Sequence, residues 1–162
     1  MNIILQNEVD IPQIEALLDM TFGQERFHKA AYVFRDGVDA VENLSFIIKD
    51  KGELVATLRF WITKVMNFEV LLLGPIAVHP TYQGKGYGLE LMRYGLEQAK
   101  VHGHSRVVLV GDERYYSKLG FSRSCAQNIH MPGQIDESRL LALELIEGAF
   151  QGVSGDLSKV SL

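Results

Sequence analysis

One cysteine, Cys125, stands in 162 residues. That excludes an internal disulfide framework and points to a reducing compartment. Only four prolines are present, and no proline-rich linker, low-complexity segment or internal repeat interrupts the chain. No apolar run approaches the roughly 20 residues of a membrane span. Residues 1–10 lack both a basic n-region and a long apolar h-region, so no signal peptide is expected and the cytoplasm is the expected location. No long run of one charge sign occurs, and the formal net charge is -4. This argues against non-specific binding to nucleic acid or anionic membrane, and is compatible with a cationic substrate. His102 and His104 stand two apart but lack a carboxylate or thiolate at ligand spacing, so no metal is expected.

What is present suits one domain spanning residues 1–162: 47% apolar residues for a core and an ordinary 22% charged. Asn2 to Leu5 reads as a strand. Asp10 and Pro12 mark a helix start, followed by Ile14, Leu17, Leu18 and Phe22 at helical spacing and Gly23 as a stop. A second helix is predicted over Gln24 to Phe34. Leu44 to Ile48 and Leu54 to Thr63 flank the turn signal Asp50-Lys51-Gly52 and read as a hairpin. Phe68 to Val78 is the next strand, with Gly74-Pro75 in its middle, where a bulge or splay is expected. Leu89, Met92, Leu96 and Ala99 mark one face of a helix ending near Lys100 to Gly103. Arg106 to Val110 reads as a buried strand parallel to its predecessor. Glu113 to Leu119 is a short helix, and Phe121 to Ser124 starts another strand. Leu140 to Ile146 is strand or helix, and the polar stretch from Gly148 to Leu162 is expected to be loosely ordered. The order of elements implies a mixed α/β sheet with helices on both faces.

The densest signal is Gln83-Gly84-Lys85-Gly86-Tyr87-Gly88. It lies between a strand and a helix. The first N–H groups of a helix have no internal partner, and the macrodipole adds positive potential there. Glycines remove the side chains that would keep a ligand off the backbone. The combination makes a site for phosphate or pyrophosphate. It is not a P-loop, because Gly86 follows Lys85 where Ser or Thr is required. Nor is it a dinucleotide fingerprint, because Leu89 fills the place of the third glycine.

The pattern that fits is Q/R-x-x-G-x-G/A, met by Gln83, Gly86 and Gly88. Here the chain resembles the GCN5-related N-acetyltransferases. Leu73-Gly74-Pro75-Ile76-Ala77-Val78-His79-Pro80 is similar to that family's bulged central strand, and Tyr116-Ser117-Lys118-Leu119-Gly120-Phe121 to its Y-x-K-x-G-F segment. The three pieces come in the family's order. The paired tyrosines after Asp112 resemble a bacterial subgroup of predicted acetyltransferases. The resemblance implies the acyl-CoA N-acyltransferase fold, an α+β arrangement: a mixed, mostly antiparallel sheet with a splayed central strand and helices on both faces. It implies acetyl-CoA as co-substrate, no metal, and a primary amine of a small molecule or protein as acceptor, attacked directly in a ternary complex. Homodimers are common in the family, though no segment here specifies an interface.

The same resemblance assigns roles. The pyrophosphate lies on the N–H groups of Gly84, Lys85, Gly86, Tyr87, Gly88 and Leu89, with Gln83 bracing the loop. Ile76, Ala77 and Val78 lie along the pantetheine arm, and an N–H near Ile76 can hydrogen-bond the thioester carbonyl. Tyr116 lies over the sulfur as general acid, since a phenol stays protonated at neutral pH; the alternative is that its ring only packs on the cofactor. Tyr115 is structural. For the base, Glu69 near the start of the central strand is the first candidate; an exposed strand carboxylate is the alternative. His79, His28 and Glu25 follow, and some members appear without a dedicated base. Cys125, with no base beside it, reads as a core residue. Two other functions compete: a non-catalytic acyl-CoA-binding regulatory module, and a nucleotide-binding protein using the same loop.

Overall fold

Alternation along the strands sends apolar side chains to two faces of one sheet. Leu71, Leu73, Val107, Leu109 and Leu141 point to one face, while Leu72, Val108, Leu140 and Ala142 point to the other. The computed structural model describes residues 1–134 and 136–160. Its strands are β1 (Ile3–Leu5), β2 (Phe46–Asp50), β3 (Glu53–Val65), β4 (Phe68–Val78), β5 (Arg106–Val110), β6 (Ile129–His130), β7 (Leu140–Glu144) and β8 (Gly155–Lys159). The main path runs β1-β2-β3-β4-β5-β7, with β8 on β3 and β6 on β8. Every neighbour on the main path is antiparallel except β4 and β5. This is the mixed, mostly antiparallel sheet that the motifs implied.

Helix α2 (Tyr87–Val101) covers the first face with Leu91, Met92, Leu96 and Ala99. It lies unusually close because Gly95 has no side chain. A Cβ there would fall 2.9 Å from both Leu58 Cδ2 and Phe60 Cε2. Helix α1 (Ile11–Phe22) packs Ile14, Leu17 and Leu18 on Ile47, Leu54 and Ala77 on the opposite face. Asp10 precedes α1 but does not cap it with its side chain. Its buried carboxylate accepts from the Asn7 N–H at 2.8 Å and pairs with Lys49 Nζ at 2.9 Å, tying the helix start to β2.

Three expectations need correction. Residues 24–34 form two 3-10 turns, Gln24–His28 and Ala30–Phe34, split by an extended Lys29. Only Phe34 in that stretch is buried, so no apolar stripe exists to dock a helix. Residues 121–124 hold one isolated bridge, Ser122 to Ala142, rather than a strand. Residues 148–160 are not loose. β3 extends past its pairing with β2 and leaves Thr63–Val65 free to pair with β8, while Phe150, Val153 and Leu157 fill the second core. Arg106 fastens this segment, its Nε donating to the Ala149 carbonyl at 2.6 Å. The residues 161–162 of the expected loose tail lie outside the described residues. The ambiguous stretch at 140–146 is strand β7, paired with β5 over Leu140 to Glu144.

Candidate active site

The glycine loop leaves its backbone uncovered. Gly84 (φ +78°) and Gly86 (φ +87°) are left-handed, and added Cβ atoms there would meet open space. Gly86 immediately precedes α2. The Glu90 N–H donates to the Gly86 carbonyl at 3.1 Å. The N–H groups of Tyr87, Gly88 and Leu89 lie ahead of that bond and have no acceptor within the helix. The Gln83 amide donates to the Val78 carbonyl at 3.0 Å and ties the loop to the end of β4. The His79 Nδ1 accepts from the Thr81 N–H at 3.1 Å and caps the intervening turn. Tyr82 stacks on Tyr87 with ring centroids 5.5 Å apart, its hydroxyl donating to Asp50. Lys85 Nζ lies 5.4 Å from the centre of the Tyr82 ring.

A crevice opens beside this loop. β4 pairs with β5 only at Leu71 and Leu72. Beyond them β4 stays with β3, through Ile76, Ala77 and Val78, while β5 stays with β7. The edge of β4 from Leu73 to Val78 that faces β5 therefore has no strand partner among the described residues. Gly74-Pro75 is where the split occurs. The two residues oppose the single residue Arg59 on β3, a bulge set between the pairs Leu58–Ile76 and Phe60–Leu73. Gly74 takes φ +111° and the following peptide bond is cis.

A cavity of about 920 Å³ fills the crevice and runs under α1 and the two 3-10 turns. Gly74, Pro75 and Ile76 form one wall, and Gly111, Asp112, Tyr115 and Tyr116 the other. Helix α3 (Glu113–Tyr116) is capped by Asp112, whose carboxylate accepts from the Arg114 N–H at 2.9 Å. Gly111 makes room for the Tyr116 ring, since a Cβ there would lie 2.3 Å from Tyr116 Cε2. Tyr116 also packs edge-on against Tyr115 and Phe121. Burial raises its pKa, and Tyr115 adds to the effect. Its phenol therefore carries a proton throughout the neutral range.

Residues 11–121 match the acetyltransferase (GNAT) family. The chain belongs to that family. It is 27% identical over 150 residues to the uncharacterised N-acetyltransferase YhbS of Escherichia coli K12, covering 91% of this chain and 89% of that one. A crystal structure of E. coli YhbS in complex with CoA superposes with a TM-score of 0.81 at 26% identity, covering 98% of this chain and 89% of that one. A GNAT acetyltransferase from Brucella melitensis, in complex with acetyl-CoA, shares the fold with a TM-score of 0.70 at 21% identity, covering 99% and 96%.

Within this GNAT scaffold the residues singled out from the sequence separate into two groups. Ile76 and Tyr116 face one cavity. The loop from Gln83 to Leu89 adjoins it, with Tyr115 bridging: its hydroxyl comes within 3.7 Å of where Gly88 would carry a Cβ. Ala77 is buried against α1, which leaves only its main chain available. Val78 is half-buried and packs against the core on the α2 face. Glu69 is not brought to this cavity. It sits seven residues before Ile76, about 23 Å along an extended strand, and holds His104 Nδ1 at 2.6 Å beside the C-terminus of α2. Proximity along one strand does not make proximity to its middle. Of the other bases considered, His28 lines the exposed rim and Glu25 does not line the cavity. Cys125 is half-buried, and burial pushes its thiol pKa up.

The expectation of a cationic substrate meets a cavity of like charge. The cavity walls carry Arg26, Lys29, Arg35, Arg59 and Arg139 against Glu15 and Asp112. Whole-chain net charge averages over surfaces that never face the ligand. Sequence reasoning missed Arg35, Arg59 and Glu15. One signal existed: Arg59 interrupts the apolar run from Leu54 to Ile62, where a charge must have a reason to be buried.

Proposed function

We propose that this GNAT enzyme transfers the acetyl group of acetyl-CoA to a primary amine bound in the cavity, by direct attack in a ternary complex within the cytoplasm. The observation that carries the reading is a juxtaposition. A helix N-terminus with unpartnered N–H groups adjoins a crevice whose two walls are the unpaired edge of β4 and the protonated Tyr116.

The chain's own groups fit such a ligand. The N–H groups from Gly84 to Leu89 suit a diphosphate. Lys85 stands at the rim to add charge. The free main-chain edge from Leu73 to Val78 suits the amides of a pantetheine arm. Acetyl-CoA, when bound, supplies an activated acyl group. The Ile76 N–H is the donor placed to stabilise negative charge developing on a carbonyl oxygen in the bulge. Tyr116 holds a proton at Oη for a departing sulfur. The apolar flank of the cavity, Leu18, Phe22, Phe27 and Trp61, offers apolar surface to the carbon skeleton of the acceptor. A thiol kept protonated by burial at Cys125 is a poor acyl carrier, which favours direct attack over an acetyl-enzyme.

Release of free thiol from acetyl-CoA across a panel of amines tests the proposal. Tyr116→Phe is expected to lower kcat by about 10²-fold or more, the contribution of a positioned acid, with a smaller effect on KM for acetyl-CoA. A KM effect alone would reduce Tyr116 to packing. Tight CoA binding with no turnover on any amine, and no loss in Tyr116→Phe, would make the protein a binding module. A melting temperature raised more by ATP than by CoA would make it a nucleotide-binding protein.

A further inference from the structure

An acidic chain has gathered unneutralised positive charge around one point of its cavity. Glu15 answers two of the arginines: its carboxylate lies 2.7 Å from Arg26 Nη2 and 3.5 Å from Arg59 Nη1. Arg26 pairs with Asp19 as well. Arg59 Nε donates to the Gln6 side chain at 3.1 Å. Arg35 has no carboxylate partner among the described residues. Its Nε is sealed from solvent and makes no hydrogen bond there. Burial, with Arg59 adding like-charge repulsion, lowers its pKa to about 10, so it remains a cation at neutral pH. A charged donor held in this state is destabilising until something accepts from it.

Its position shows where that acceptor goes. Arg35 Nη2 lies 3.5 Å from the point where Gly74 would carry a Cβ, directly over the bulge. Arg59 is the β3 residue opposite the same bulge. The Trp61 ring lies 5.6 Å from the Arg35 guanidinium carbon and backs it. A guanidinium is a planar fork that matches a carboxylate or phosphate with two parallel hydrogen bonds. From Gly74 to Ile76 is two residues, at most about 7 Å. An oxyanion on Arg35 is thus a few bonds from a nitrogen placed to react beside Ile76.

We propose that the acceptor is a small amine bearing a carboxylate or phosphate within a few bonds of its nitrogen, and that Arg35, with Arg59 behind it, binds that oxyanion. The proposal rests on the acetyltransferase reading and adds the substrate class. Matched pairs test it: each of a series of amino acids against its α-amide, and O-phosphoethanolamine against ethanolamine, with thiol release from acetyl-CoA expressed per neutral amine. The oxyanion-bearing member of at least one pair is expected to give a kcat/KM at least tenfold higher, and the better pair names carboxylate or phosphate. Arg35→Met is expected to abolish the preference while leaving the CoA dissociation constant unchanged. Arg35→Lys, which keeps the charge and loses the fork, is expected to weaken it at least threefold and serves if the Met variant does not fold. Equal or better use of ethanolamine, glycinamide or spermidine, or a preference that survives both substitutions, overturns the proposal and leaves the acetyltransferase reading intact. Absence of turnover on every amine overturns that reading instead. The binding arm then decides: succinate or inorganic phosphate raises the melting temperature of the CoA-saturated wild type but not of the Arg35 variant, and an equal shift in both, or none, refutes the oxyanion site.

Discussion

Gly111→Ala adds one methyl group where the Tyr116 ring already lies. Gly111 is buried at the end of β5, and its N–H donates to the Arg139 carbonyl at 2.9 Å, so its backbone has little freedom to retreat. The new Cβ would fall 2.3 Å from Cε2 and 2.8 Å from Cδ2 of Tyr116, where ordinary contact begins at 3.4 Å. The ring must therefore move by about 1 Å or more. Overpacking of this kind costs about 1–3 kcal/mol, and in a chain of this size each kcal/mol lowers the melting temperature by about 2–4 °C. A reacting group misplaced by about 1 Å costs about 10²-fold in rate. Gly111→Ala is thus expected to lower kcat for thiol release by about that factor while CoA affinity, set by the N–H groups of the glycine loop, stays near wild type. The same substitution in a Tyr116→Ala background meets no ring, and its stability penalty should vanish. Wild-type kcat in Gly111→Ala, or a penalty undiminished without the ring, would refute the claim that Gly111 sets the position of Tyr116.

Gly86→Val places a branched side chain at φ +87°, beside the open N–H groups; calorimetric titration is expected to show CoA affinity lowered at least tenfold, and unchanged affinity would remove the loop as the diphosphate site. Gly95→Ala is expected to lower stability by about 1–3 kcal/mol, because Leu58 and Phe60 are wholly buried and cannot yield; denaturant titration reads this. Asp10 has its pKa lowered, first by the Asn7 N–H and then by Lys49. Because the folded pKa is depressed, its contribution is present above the unfolded value of about 3.9 and is lost as pH falls through the lower folded value. Asp10→Asn should therefore be less stable than wild type at pH 7, and the difference should shrink below about pH 4; a difference constant with pH would contradict the assignment.

How far the sequence could be read depended on whether a feature is local. The glycine loop and the Gly74-Pro75 break act through their own backbones, so both were legible in six- to eight-residue stretches. The two α-helices of any length announced themselves by spacing. β8 did not, because Gly155–Lys159 carries one apolar residue, Leu157, and exists as a strand only because β3 leaves an edge to pair with. Residues 24–34 have helix-forming composition but no face to bury, and sequence period alone does not weigh that. The acceptor wall was illegible for a different reason. Glu15, Arg35 and Arg59 come from α1, the residue after the second 3-10 turn and β3, and only the fold brings them together. The distance of Glu69 from the cavity has the same origin: the sequence places it on the strand that lines the cavity, and the pairing with Lys64 and the contact with His104 put it at the far end.

The central claim is that main-chain donors between Gly84 and Leu89 hold a diphosphate and so lay an acyl group in the crevice where β4 leaves β5. A crystal structure of the protein with CoA tests it directly. The expected result has phosphate oxygens within hydrogen-bond distance of those N–H groups and the thiol between the Ile76 main chain and the Tyr116 hydroxyl. A nucleotide tail bound elsewhere, or a sulfur outside the cavity, would contradict the account.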